Sequence, residues 1–75
     1  MSFDEALTVF VDPLARIFDD EDHSIGELRE IIIGHSTRLQ VLLVCFSIRE
    51  HAIRLFSARR VTNQERKDYE ENVQP

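Results

Sequence analysis

Three runs rich in Ile, Val, Leu and Phe dominate the second half of the chain: Arg29–Gly34, Leu39–Ile48 and Ala52–Ala58. Only His35-Ser36-Thr37-Arg38 and Arg49-Glu50-His51 separate them. Turns this short join antiparallel neighbours, because a parallel pair needs a crossover of about a dozen residues or more. The chain is thereby confined to an antiparallel meander. The middle run adds a second constraint. Leu39, Val41, Leu43 and Cys45 alternate with Leu42, Val44, Phe46 and Ile48, so both faces of that strand are apolar and both call for cover.

The flanks supply the candidates for that cover. Ser2-Phe3-Asp4-Glu5 has the form of a capping box, in which Ser2 takes the Glu5 amide and Glu5 reaches back to the Ser2 amide. Phe3, Ala6, Leu7 and Phe10 then recur at helical spacing, and Asp12-Pro13 ends the pattern, predicting a helix over 2–11. Leu14–Phe18 reads as a short strand, and Asp19–Gly26 as a polar loop. A second capping box, Thr62-Asn63-Gln64-Glu65, opens a C-terminal helix whose apolar residues are few, leaving Tyr69 as its main anchor. The expected fold is α+β in one small domain over residues 1–75. It comprises an N-terminal helix, a three- to four-stranded antiparallel sheet and a C-terminal helix. Phe3, Leu7 and Phe10 are expected to cover one sheet face. The polar last helix covers little of the other, which points to a homodimer or a partner protein.

Composition narrows the function classes. With 9 basic and 14 acidic residues the formal net charge is −5, which disfavours a generic polyanion-binding tail. The charge is nonetheless divided. Residues 1–30 carry nine acids against Arg16 and Arg29, whereas residues 31–67 carry seven basic residues against Glu50 and Glu65. Such asymmetry suits an anionic partner for the middle of the chain, self-association through opposite poles, or neutralisation within one fold. The single cysteine excludes an internal disulfide and a zinc constellation built around it. No apolar stretch is long enough to span a membrane, and Met1–Glu5 lacks a basic signal region, so a soluble cytoplasmic protein is expected.

Arginine outnumbers lysine eight to one, and Arg49, Arg54, Arg59 and Arg60 lie close together on the last hairpin and its exit. Guanidinium groups bind phosphate bidentately and stabilise the charge that develops on a phosphorus centre, as RNA cleavage requires. The same arginines also suit ion pairs with Glu27, Glu30, Glu50 and Glu65, or a solvated edge. His35 and His51 fall in turns and His23 in the acidic loop, and no base, nucleophile and orienting group assemble around any of them. Asp19-Asp20-Glu21-Asp22-His23 resembles a cation loop in composition only. Cys45, with no basic neighbour in sequence, reads as a small core residue.

Several segments in order resemble one family. Ser2-Phe3-Asp4-Glu5-Ala6, Val9-Phe10 and Asp12-Pro13 are similar to S-F-x-E-A-x-x-V-F-x-D-P. Glu27, Arg29, Ile33-Gly34 and Ser36 are similar to E-x-R-x-x-x-I-G-x-S. Ile53-Arg54-Leu55-Phe56-Ser57-Ala58-Arg59-Arg60, then Thr62, Glu65-Arg66 and Tyr69-Glu70, are similar to I-R-x-x-S-A-R-x-A-T-x-x-E-R-x-x-Y-E. The pattern is that of the BrnT toxins of type II toxin–antitoxin systems, ribonucleases with a RelE-like fold. Members usually begin with a further strand and helix ending in a Lys-His-Gly-like turn. The present sequence starts at Met1-Ser2-Phe3, and Glu50 stands where a hairpin glycine is usual.

The resemblance implies a shortened RelE-like toxin that cleaves RNA, or a relative of one that does, with weak or no growth arrest when expressed alone. Cleavage would use the RNA's own 2′-hydroxyl as nucleophile, as a metal-independent endoribonuclease with no cofactor. Arg54 and Arg59 are the first candidates for phosphate contact and transition-state stabilisation, followed by Arg49 and Arg29. The implied partner is a BrnA-like ribbon-helix-helix antitoxin covering the basic surface. The alternative is a non-catalytic module that dimerises or binds an antitoxin.

Overall fold

A computed structural model describes residues 2–20 and 28–73. The elements run α1 (Phe3–Thr8), a 3-10 turn (Val9–Val11), β1 (Arg16–Asp19), β2 (Glu30–His35), β3 (Val41–Arg49), β4 (Ala52–Arg60) and α2 (Asn63–Val73). The four strands form one antiparallel sheet in the order β1-β2-β3-β4, the meander that the short turns require. The acidic segment 21–27, with His23 and Glu27, lies outside the described residues. Its flanks are tied together, since the Asp20 amide donates to the Arg29 carbonyl at 2.9 Å.

Register sorts the side chains into two faces. On the first, Ile32, Leu42, Val44 and Phe46 form the core with Ala6 and Val9 of the N-terminal segment, and Phe10, Ala15, Leu55 and Ala58 pack around it. The Phe10 ring meets Phe46 edge-on, with centroids 4.9 Å apart and planes at 86°. A close approach makes this layer possible. A Cβ on Gly34 would lie 2.8 Å from Ala15 Cβ and 3.1 Å from Val9 Cγ1, so a side chain there would push the 3-10 turn off the sheet.

The N-terminal helix is rotated from the expected setting. Glu5, Ala6 and Val9 face inward, while Phe3 is 63 % and Leu7 43 % exposed. Polar contacts impose the rotation. The Ser2 hydroxyl accepts from the Glu5 amide at 3.1 Å, but the Glu5 carboxylate turns to Ser36, whose buried hydroxyl donates to it at 2.8 Å. The Thr37 amide donates to Thr8 Oγ1 at 3.0 Å, fixing the same side of α1 to the β2–β3 turn. Helical spacing alone favours the larger apolar residues, and these contacts outweigh it.

Leu39 is also displaced from its expected place in a strand. It occupies the β2–β3 turn at φ 61° and is 79 % exposed. The Ser36 amide donates to Gln40 at 2.8 Å and the Leu39 amide to Ser36 at 2.9 Å, closing a three-residue loop whose last residue is left-handed.

The second face is better covered than expected. Val41, Leu43 and Tyr69 are buried there, and the Tyr69 ring lies 5.6 Å from His35, the residue paired with Val41. Tyr69 is thus the anchor of α2 that the sparse apolar pattern requires. The far end of the β3–β4 hairpin has no such cover, and Ile48 and Ile53 are exposed on the core side.

Candidate functional site

The geometry of the arginines depends on one irregularity. In the β3–β4 pair, Cys45 faces Ser57 and Phe46 faces Leu55, so Phe56 is an extra residue in β4. Arg54 and Arg59 are five positions apart, and an odd separation places side chains on opposite faces of a regular strand. The bulge restores them to one face. Arg54 sits opposite Ser47 and Arg59 opposite Leu43, both on the side away from the core. Arg49, at the end of β3, belongs to this side by alternation, as does Arg29, the residue before β2. All four sequence candidates therefore share one face.

Within that face they divide into two settings. Arg29 Cζ lies 4.0 Å from the Phe56 ring centroid and Arg54 Cζ 5.6 Å from it, so two cations converge on one half-buried ring. Arg49 stands exposed beside the hairpin tip. Arg59 is committed elsewhere, since its Nη1 and Nη2 donate to Glu65 Oε1 and Oε2 at 2.8 and 2.9 Å. Glu65 also completes the second capping box, accepting from the Thr62 amide at 2.8 Å while Thr62 Oγ1 accepts from the Glu65 amide at 3.2 Å. The Arg59 fork, joined by the Thr62 amide, brings the Glu65 carboxyl down to about 2, and Glu65 in turn raises the arginine. Cys45, half-buried, lies on the same face as Arg59, on the side away from the core, and so is not the small core residue that the sequence suggests.

A second polar cluster was not legible in the sequence. Asp12, placed there by the Asp-Pro helix stop, accepts from the Leu14 amide at 2.9 Å and the His35 amide at 2.7 Å. Tyr69 donates to the same carboxylate at 3.2 Å, and His35 Nδ1 lies 3.5 Å from Asp12 and 3.4 Å from Tyr69 Oη. Burial pushes the Asp12 carboxyl up, but the two amides and the tyrosine more than offset it and hold it below its usual value. Burial and the neighbouring carboxylate push Tyr69 up to about 12, so its hydroxyl remains a donor. Along β3, the position facing His35 is Val41 and that facing Arg54 is Ser47, a separation of roughly 20 Å at ordinary strand rise. His35 therefore serves the anchoring of α2 and does not reach the Arg54 region. His51 lies in the β3–β4 turn, exposed and left-handed. Among the described residues, no group of three or more His, Cys, Asp and Glu is placed to hold a metal, and no helix is long and apolar enough to cross a membrane.

The family model of the ribonuclease toxin BrnT of type II toxin–antitoxin systems matches residues 1–65. The chain belongs to the BrnT family. No curated protein matches it. The BrnT match takes in the whole sheet, the four arginines and Glu65, and ends just inside α2, before Tyr69. Membership in a type II toxin–antitoxin family implies an antitoxin partner.

Proposed function

We propose that this chain is a RelE-like endoribonuclease toxin that engages single-stranded RNA on the arginine face of its sheet. The observation that carries the reading is the bulge in β4, which brings Arg54 and Arg59 to one face, the side opposite the core that Arg49 and Arg29 share by alternation. Arg54 contacts the scissile phosphate and stabilises its transition state. Arg29 and Arg49 hold the flanking backbone, and Arg59, its fork occupied by Glu65, secures the start of α2 beside them. The 2′-hydroxyl gives its proton to water as its oxygen attacks phosphorus, the bond from phosphorus to the 5′-oxygen breaks, and that oxygen takes up a proton from water. The products are a 2′,3′-cyclic phosphate and a free 5′-hydroxyl, with no metal required. A BrnA-like ribbon-helix-helix antitoxin would silence the protein by covering the same face.

A second reading, a non-catalytic module that dimerises or binds an antitoxin, draws support from the exposed Phe3, Leu7, Ile48 and Ile53. Incubation of the purified chain with single-stranded RNA separates the two. Cleavage leaving cyclic phosphate ends, insensitive to EDTA and reduced about 10²–10³-fold by Arg54→Ala, is expected for the ribonuclease. Cleavage undiminished in Arg54→Ala refutes the assignment, and absence of any cleavage favours the binding module.

A further inference from the structure

We infer that a second site lies on the core side of the sheet, where Arg38, Arg60, Gln40 and Ser2 hold the phosphate of a nucleotide and Phe3 stacks on its base. The site is separate from the arginine face and does not depend on the RNA reading of that face. Arg60 pairs with Leu42, a core residue, so its side chain leaves β4 on the side opposite Arg59. With Arg38, Gln40, Ser2 and Glu5 it lines an open cleft of about 350 Å³ where the start of α1, the β2–β3 turn and the end of β4 meet. The turn sets two of these residues in place. Ser36 Oγ accepts from the Arg38 amide at 3.2 Å and the Gln40 amide at 3.4 Å, and donates its own proton to Glu5.

The cleft is rich in donors and poor in acceptors. Gln40 Oε1 accepts from Arg60 Nε at 3.1 Å, which orients the guanidinium. Arg60 Nη1 and Nη2 and the Gln40 amide nitrogen then have no acceptor among the described residues, and neither has the Arg38 guanidinium. Ser2 Oγ accepts from the Glu5 amide at 3.1 Å and keeps its own proton to give. The carboxylate at the cleft, Glu5, is buried and takes the Ser36 hydroxyl. Asp4 borders the neighbouring cleft together with Arg38, and no ion pair joins the two. Such a donor set is completed by a group that only accepts, and two guanidiniums match the oxygens of a phosphate. Ser2 also borders an adjoining cleft of about 270 Å³, lined by Phe3, Ser57 and Ala58. Phe3 is 63 % exposed. An open aromatic ring beside cationic side chains is a platform for a base. The two clefts together therefore suit a whole nucleotide.

Titration of the full chain with adenosine 5′-monophosphate, followed by the NMR shifts of its backbone amides, tests the site, with adenosine as the probe lacking a phosphate. The nucleotide is expected to shift Ser2, Phe3, Arg38, Gln40 and Arg60 along one saturable curve, and adenosine to bind about tenfold more weakly. Arg38→Gln and Arg60→Gln should each weaken the nucleotide about two- to fivefold and leave adenosine unchanged. Phe3→Leu should weaken both probes about fivefold or more. A merely structural role for the arginines weakens both probes alike and lowers Tm, which circular dichroism reports. A short, uncleavable 2′-O-methyl oligoribonucleotide then separates two sources of the same chemistry. Displacement of the nucleotide, with the same loss in Arg38→Gln, identifies one nucleotide of an RNA strand as the ligand, and failure to displace it identifies a free nucleotide. Adenosine binding as tightly as the nucleotide overturns the phosphate site. So does an equal loss from Lys67→Gln, an exposed residue of α2 outside both clefts. Absence of shifts at these amides overturns the site alone when the oligoribonucleotide still binds through Arg54.

Discussion

Glu65 joins the sheet to the last helix in two ways, and replacing it by Gln or Ala separates them. Gln at this position retains an oxygen for the Thr62 amide but loses the charge facing Arg59. The ion pair is bidentate, yet its side chains are 52 % and 30 % exposed, so water and salt weaken it. A value near 0.5–1 kcal/mol is appropriate for Glu65→Gln, well below what the full carboxyl shift implies. Glu65→Ala also removes the capping acceptor, adding ~1 kcal/mol. For a domain of this size each kcal/mol lowers Tm by about 4–8 °C, so Glu65→Ala should melt roughly 6–16 °C below the parent and Glu65→Gln about half as far. Thermal unfolding followed by circular dichroism at several pH values is the assay. The Glu65 carboxyl is depressed from 4.5 to about 2 in the fold, so its contribution is fully present above pH 4.5. That contribution fades as pH falls through 2. The difference between parent and Glu65→Gln should shrink over that window and disappear when Arg59→Met is also present. A difference independent of pH, or identical in the Arg59→Met background, refutes the coupling.

Three further outcomes are expected. Glu50 and His51 hold left-handed φ values of 52° and 66°, so Glu50→Asn with His51→Gly should raise stability by about 1–2 kcal/mol in chemical denaturation. Tyr69→Phe should lose about 1–2 kcal/mol by stripping Asp12 of a donor, and Tyr69→Ala more, with faster proteolysis within α2; an unchanged Tm would show that α2 is not docked. The chain should sediment as a dimer at micromolar concentration, with Ile48→Lys and Ile53→Lys shifting it towards monomer; a stable monomer in the parent would remove self-association from the account.

The meander was legible because two short connections, residues 35–38 and 49–51, leave the three apolar runs no route but an antiparallel one. Tyr69 was legible as an anchor for the opposite reason, being nearly alone among polar neighbours. The face of α1 was not. Its apolar stripe names Phe3 and Leu7, whereas the buried side is chosen by Glu5, Ser36 and Thr8, partners that the sequence does not bring together. All four arginines could be named, but their common side could not be read from spacing, because strict alternation separates Arg54 from Arg59 and only an extra residue reunites them. The Asp12 cluster was hidden similarly, assembled from positions 12, 35 and 69 by tertiary structure alone.

The extra residue in β4 also bears on how the protein avoids fibrous association. β4 is an edge of the described sheet and, at nine residues, is long enough to template a strand from another molecule. A neighbour seeking to zip along that rim meets backbone donors and acceptors thrown out of step midway, flanked by Arg54 and Arg59. The pairing stops after a few residues on either side, too short to persist. The irregularity thus acts as a gatekeeper against cross-β growth and steers contacts between copies towards side chains and away from the backbone.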